Sequence, residues 1–142
     1  MREILFRGKR VDNGEWVYGN YAFADIDSKQ YFIFQNKAFE HEVIPETVGQ
    51  YTGLTDKNGD KIFEGDIVKA TIAYNNRFQD KVDHRTETYE VKYHINHCYF
   101  YLARERNNLL FDGNWQYFLK EIEVIGNIHD NKELLKGGAS DG

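Results

Sequence analysis

Residues 87–95 read Glu-Thr-Tyr-Glu-Val-Lys-Tyr-His-Ile, and their strict alternation decides the fold. Tyr89, Val91, Tyr93 and Ile95 fall on one side of an extended chain, with Thr88, Glu90, Lys92 and His94 on the other. A period of two marks a half-buried strand, because successive side chains point to opposite faces. Upstream, Val68, Ala70, Ile72 and Tyr74 alternate in the same way with Lys69, Thr71 and Ala73. Downstream, Asn96-His97 can turn the chain into a further extended stretch at Cys98–Glu105, and Glu123–Ile128 makes a last strand. Between the alternating segments, residues Asn75–Arg85 are polar and charged, and are expected to form a mobile loop.

The N-terminal third is strand-rich as well. Asn13-Gly14 is a dipeptide favoured in a two-residue type I′ turn, where both central residues take positive φ. That turn pairs Asp12 with Glu15, Arg10 with Val17, Phe6 with Tyr21 and Ile4 with Phe23, which reads as the core face. Val11 with Trp16, Lys9 with Tyr18 and Leu5 with Ala22 fall on the opposite face. Arg7, Lys9, Val11, Trp16 and Tyr18 there form a cationic and aromatic strip, the candidate interaction surface. The consecutive apolar run Tyr31–Phe34 suggests burial on both faces or at a subunit contact. Pro45 breaks the chain before a short strand at Val48–Leu54, and Asp56-Lys57-Asn58-Gly59-Asp60 is a strong turn signal. Two stretches look helical: Trp115, Phe118, Leu119 and Ile122 at i, i+3, i+4, i+7, and Asp130–Lys136 with a cap-like Asp130. The expectation is a mainly β fold: a small, partly open SH3-like barrel over 46–128, extended by an N-terminal hairpin at 2–24, with one or two short helices near the C-terminus. Residues 1–136 are expected to form a single domain and 137–142 a disordered tail.

The 142 residues suit one domain, and 22 aromatic side chains (10 Tyr, 10 Phe, 2 Trp) supply bulk for a core. Cys98 is the one cysteine, so no internal disulfide is available and a reducing compartment is expected. No apolar run approaches the roughly 20 residues of a membrane helix, and MREILFRGKR lacks a signal-peptide core. A soluble, cytoplasmic protein is expected. The net charge of −5 has the wrong overall sign for coating nucleic acid. Four basic residues and one acid nevertheless occupy positions 1–10, ahead of three basic and nine acidic residues in 11–60.

Two motifs invite a metal. Asp56-x-Asn58-x-Asp60 opens like a calcium loop, but Lys61 stands where glycine is needed and Ile67 where a bidentate Glu must close the shell. The better reading is an acidic turn. His94-x-x-His97-Cys98 offers zinc-type donors, yet a strand separates His97 from the other two, and no spacing identifies a fourth ligand. Cys98 reads better as a buried small residue among Tyr99, Phe100 and Tyr101. No nucleophile elbow, phosphate-binding glycine loop or H-E-x-x-H occurs, so no catalytic, cofactor or metal residue is assigned.

Several blocks together resemble a known family. They are Arg2-Glu3-Ile4-Leu5-Phe6-Arg7, Asp12–Gly19, Val48–Leu54, Asp56–Gly59, Ile62–Val68, Val124–His129 and Glu133-Leu134-Leu135. In this order they resemble the YopX-like proteins of bacteriophages and prophages, over nearly the whole chain and least over 75–115. The resemblance implies a phage or prophage product without known biochemical activity, a β-rich SH3-type core and a homo-oligomer. It supplies no catalytic residues. Within it, Glu64-Gly65-Asp66-Ile67-Val68 reads as structure: Gly65 allows a tight approach and Asp66 can satisfy turn amides. The expected function is a non-enzymatic accessory protein acting in the host cytoplasm by binding another macromolecule. The alternatives are a single-stranded nucleic-acid binder using Arg7, Lys9, Trp16 and Tyr18, and a metal-dependent enzyme using His94, His97 and Cys98.

Overall fold

A computed structural model describes residues 3–25, 27, 30–36, 39–76, 78–96, 98–104, 107–110 and 117–135. Among them the chain is mainly β, in antiparallel sheets. The strands are β1 (Phe6–Lys9), β2 (Trp16–Asp25), β3 (Gln30–Asn36), β4 (Phe39–Val43), β5 (Gly49–Thr55), β6 (Lys61–Phe63), β7 (Asp66–Asn76), β8 (Lys81–His94), β9 (Tyr99–Arg104), β10 (Asn107–Leu110) and β11 (Tyr117–Asn127). A 3-10 turn at Pro45–Thr47 and one helical turn at 133–135 complete the described elements. The chain divides into two compact units, Met1–Leu54 and Thr55–Gly142, and the barrel core expected over 46–128 straddles that division.

In the N-terminal unit the strands lie in the order β4-β3-β2-β1-β5. The end of β4 returns to the end of β1: Ile44 N–H donates to the Lys9 carbonyl (2.8 Å), Val11 N–H donates to the Glu42 carbonyl (3.0 Å), and Arg10 bridges Val43. The result is a partly open barrel wrapped around Val17, Ile33 and Val43, with Phe6, Tyr21, Tyr31 and Val48 against them. Close backbone approach makes this curl, and glycine permits it. A Cβ on Gly8 would lie 3.0 Å from the Val43 Cβ, and one on Gly19 only 2.0 Å from the Phe34 carbonyl oxygen.

The register of the first hairpin differs from the two-residue turn expected. Phe6 faces Gly19, Arg7 faces Tyr18, Gly8 faces Val17 and Lys9 faces Trp16. Gly14 has φ +74° while Asn13 stays at negative φ, so the type I′ geometry is not met. A four-residue loop forms instead, with Arg10 N–H donating to the Glu15 carbonyl and Gly14 N–H to the Arg10 carbonyl. This avoids the Asp12–Glu15 repulsion, because Asp12 binds Arg10 at 2.6 and 2.9 Å. The slip is two residues, so every side chain keeps its face.

The second unit carries the sheet β10-β9-β8-β7-β11. Tyr89, Val91, Val68, Ala70, Ile72, Leu102, Ile62 and Ile122 form its core, as the alternation requires; Tyr93 (38%) and Ile95 (79%) lie beyond it, exposed. The segment expected to be a loop at Asn75–Arg85 is instead the end of a long hairpin, paired continuously from Ile67↔Glu90 to Asn76↔Lys81. Its polar composition is that of a ribbon wetted on both sides. The helix expected around Trp115–Ile122 is also overturned: Leu119 and Ile122 lie in β11, and Trp115 falls outside the described residues. A bulge between Leu119 and Glu121 is the physical cause. Leu119 opposes Ile72 and Ile122 opposes Ala70, so the extra residue turns a same-face spacing of two into three and imitates a helix. Of the second expected helix, residues 133–135 form a turn; Lys136 and the tail 137–142 lie outside the described residues.

The acidic turn at 56–60 fastens β11. Asp56 is buried, and its carboxylate accepts the backbone N–H groups of Asn58, Asp60 and Val124, each at 2.9 Å. Asp66 likewise accepts the Phe63 N–H at 2.7 Å across a turn where Gly65 has φ +91°. Burial pushes the Asp56 pKa up, but the three amides and Lys57 outweigh it and hold the group below 3.8.

Asp56→Ala should cost about 3 kcal/mol in urea unfolding, because buried amides lose a charged acceptor. With a depressed folded pKa, the Asp56 contribution is complete above the ordinary carboxylate value and disappears as pH falls through the lower folded value, so the difference between wild type and variant should shrink only below about pH 4. Gly19→Ala should cost about 3 kcal/mol or more, since only backbone can yield. Gly14→Ala, with nothing within 4 Å, should cost about 1 kcal/mol of left-handed strain; equal thermal shifts for the two would contradict the close-approach argument.

Candidate functional site

The expected strip lies on the outer face of the N-terminal sheet. Trp16 on β2 is half-buried, with the Arg7 guanidinium carbon 4.6 Å and the Lys9 ammonium 5.6 Å from its ring centroid. Tyr18, opposite Arg7, is 44% exposed. These four side chains are therefore neighbours. Val11 is also exposed, but it sits in the connecting loop rather than opposite Trp16. Arg7 is only 6% exposed, so its charge is held within the fold while Lys9 lies nearer the surface. A buried guanidinium under an indole makes a rigid platform, because planar cation and ring fix each other.

The face continues further than the strip. Phe34 opposes Asn20 and Glu40, and Phe32 opposes Ala22 and Glu42, which places both rings on the side of Trp16 and Tyr18. Phe32 and Phe34 are half-buried, while Glu40 and Glu42 are exposed. Ile33 is fully buried on the other side. The uninterrupted run Tyr31–Phe34 was the signal for this two-sided strand, although the carboxylates beside it carried none.

A polar cluster lines one end of the second unit's core. The fully buried Tyr89 donates its hydroxyl to the Glu87 carboxylate at 3.2 Å, and Glu87 is ion-paired with Arg104 and with Arg85 at 3.5 Å. Burial first, then the Glu87 charge, raises the Tyr89 pKa above 10.0, so the phenol stays a donor at neutral pH. A protonated phenol locked onto a clamped carboxylate fixes strand geometry and has no proton to exchange near pH 7.

His94 and Cys98 close the β8–β9 turn, where Cys98 has φ +56° and its N–H donates to the His94 carbonyl at 2.8 Å; its place in the turn leaves Cys98 exposed, not buried as expected. The His94 ring stacks on Tyr99 at 5.1 Å. His97 falls outside the described residues. Among the described residues no group of three or more His, Cys, Asp or Glu is placed to hold a metal ion. Asp60 lies in the 56–60 turn whose Asp56 carboxylate is already engaged by backbone amides.

Comparison with known proteins gives a family and a structural relative. The model of the family described as "YopX protein" matches residues 5–136. The crystal structure of protein EF1440 from Enterococcus faecalis is similar, with a TM-score of 0.52 and 27% identity, covering 95% of this chain and 99% of that one. No curated protein matches.

The platform geometry separates its two cations. Arg7→Ala removes a buried group and should lower stability by about 2 kcal/mol, through lost packing and lost stacking. Lys9→Ala should cost under about 1 kcal/mol, the scale of an exposed cation–π contact. Thermal unfolding of both variants checks the order, and a larger loss for Lys9→Ala would refute the assignment of Arg7 as the structural member.

Proposed function

The chain belongs to the YopX protein family, and from that premise we propose that it is a non-enzymatic binding module, encoded by a phage or prophage, that associates with itself and with another protein in the host cytoplasm. The observation that carries this reading is the exposed Tyr18 beside a Trp16 already immobilised by Arg7 and Lys9. Contact sites favour large rings that lose little freedom on binding, and cations at their margin orient the approach. The neighbouring Phe32 and Phe34 enlarge the apolar area, and Glu40 and Glu42 supply the opposite charge on the same face. A second reading, binding of single-stranded nucleic acid, draws on the same rings as a stacking platform with Lys9 toward the phosphates.

Light scattering at micromolar concentration should return a mass above the 16.7 kDa of one chain, and Tyr18→Ala should move it toward that value without lowering the melting temperature. One-chain mass throughout would remove self-association. Salt-dependent quenching of tryptophan fluorescence by a single-stranded oligonucleotide, abolished by Tyr18→Ala, would replace the protein partner with nucleic acid.

A further inference from the structure

We propose that Asn13-Gly14, in the loop between β1 and β2, is a self-modification site: Asn13 loses its side-chain nitrogen as ammonia through a cyclic imide, faster than Asn58 does in the chain's second Asn-Gly pair, Asn58-Gly59. Glycine after asparagine leaves no side chain to keep the following backbone nitrogen from the carboxamide. Both pairs are exposed, and both glycines take positive φ, +74° at Gly14 and +85° at Gly59. Both glycines also donate their N–H to a carbonyl at 3.0 Å, Gly14 to Arg10 and Gly59 to Asp56. Dipeptide and backbone are therefore matched, and the contacts around each asparagine decide between them.

Asn13 Oδ1 accepts the N–H of Glu15 at 2.9 Å, which folds the carboxamide back over the Gly14 peptide. That contact serves the reaction twice. It keeps Cγ close to the attacking nitrogen, and it sets a donor on the oxygen that becomes an anion when nitrogen adds to Cγ. The Gly14 nitrogen gives its proton to water or hydroxide and forms the new bond to Cγ. The Cγ–Nδ2 bond then breaks, and the departing nitrogen takes a proton from water and leaves as ammonia. Water next opens the imide at either carbonyl, giving aspartate or its isoaspartyl isomer. In sum one water is consumed and one ammonia released, with no oxidant or cofactor.

At Asn58 the surroundings oppose the same steps. Its Nδ2, the group that must leave, donates to the Glu123 carboxylate on β11 at 3.4 Å, which turns the carboxamide toward β11 rather than Gly59. The buried Asp56 carboxylate holds the N–H groups of Asn58 and Asp60, on either side of the Asn58-Gly59 pair, each at 2.9 Å. Asp56 N–H donates to the Asp60 carbonyl at 2.8 Å and closes the turn. Forming the imide twists the peptide between Asn58 and Gly59, so these bonds must yield together. The loop at Asn13 has no buried carboxylate of this kind; Asp12 there is exposed and paired with Arg10 at 2.6 Å. Reaction at Asn13 sets a new carboxylate between Asp12 and Glu15, and the isoaspartyl form lengthens the main chain by one carbon just ahead of Trp16.

The test incubates the purified full chain in mildly alkaline buffer and follows both sites by peptide mass spectrometry, with an isoaspartyl methyltransferase to label the isomer. In the folded chain Asn13 should convert at least fivefold faster than Asn58, and methyl label should appear first in the peptide that spans position 13. In urea the two rates should come within about twofold of each other, because the contacts that hold the reacting groups together or apart are lost. Asn13→Gln should abolish the fast phase and leave the slow one. The proposal is overturned by a folded ratio below fivefold, by a urea ratio as large as the folded one, or by a fast phase that survives Asn13→Gln.

Discussion

One buried carboxylate holds the second unit in its arrangement. Asp56 satisfies amides from two places far apart in sequence, its own turn at Asn58 and Asp60 and the middle of β11 at Val124. Burying a carboxylate is costly, and buried amides without acceptors are costly too; joined, each removes the penalty of the other. Lys57 N–H donating to the Ile122 carbonyl repeats the link one residue along. With β11 fixed at Ile122 and Val124, its pairing to β7 has one register despite two bulges, and β7 lies between β11 and β8. Asp56, the first residue of the apparent calcium loop, therefore spends its carboxylate on backbone amides.

Most of the strand content was legible because alternation is local. Tyr89 and Val91, Val68 and Ala70 declare their faces within a few residues. What escaped was set by events that alternation cannot register. The bulge beyond Leu119 puts Leu119 and Ile122 on one face at a spacing of three, and the apolar residues then match a helix as well as a strand. The polar run Asn75–Arg85 has no core side, so nothing in its hydrophobicity distinguishes a wet ribbon from a loop. Partners across the ribbon, such as the Thr71 and Thr86 hydroxyls at 2.7 Å, become visible only once the strands are paired.

The platform was partly legible for a related reason. An error of two residues in hairpin register leaves faces unchanged, and so Arg7, Lys9, Trp16 and Tyr18 were grouped by a turn that does not form. Val11 was not protected in this way, because the longer loop removes it from the ladder. The burial of Arg7 depends on a distant strand: Gly49 of β5 lies opposite it, and no local pattern shows that a side-chain-free residue will be its neighbour. Carboxylates on the same face were hidden likewise, since Glu40 and Glu42 arrive through the pairing of β3 with β4.

That arrangement bears on what kind of contact the face can make. Cations gather at β1 and carboxylates at β4, with Trp16, Tyr18, Phe34 and Phe32 spread between them on β2 and β3. A polyanion meeting such a surface is attracted by the cations and repelled by the carboxylates, so counterion release brings little. A folded partner with its own charges divided in the opposite sense gains from both sets of charges, and only in one orientation. The aromatic middle then contributes area, while the charged margins choose the direction of approach. Arg7 adds to the second effect from a fixed position, because its guanidinium is buried against the indole. The oriented protein contact of the proposed function draws on this division of charge, and the acidic balance of the chain as a whole, −5, works in the same direction.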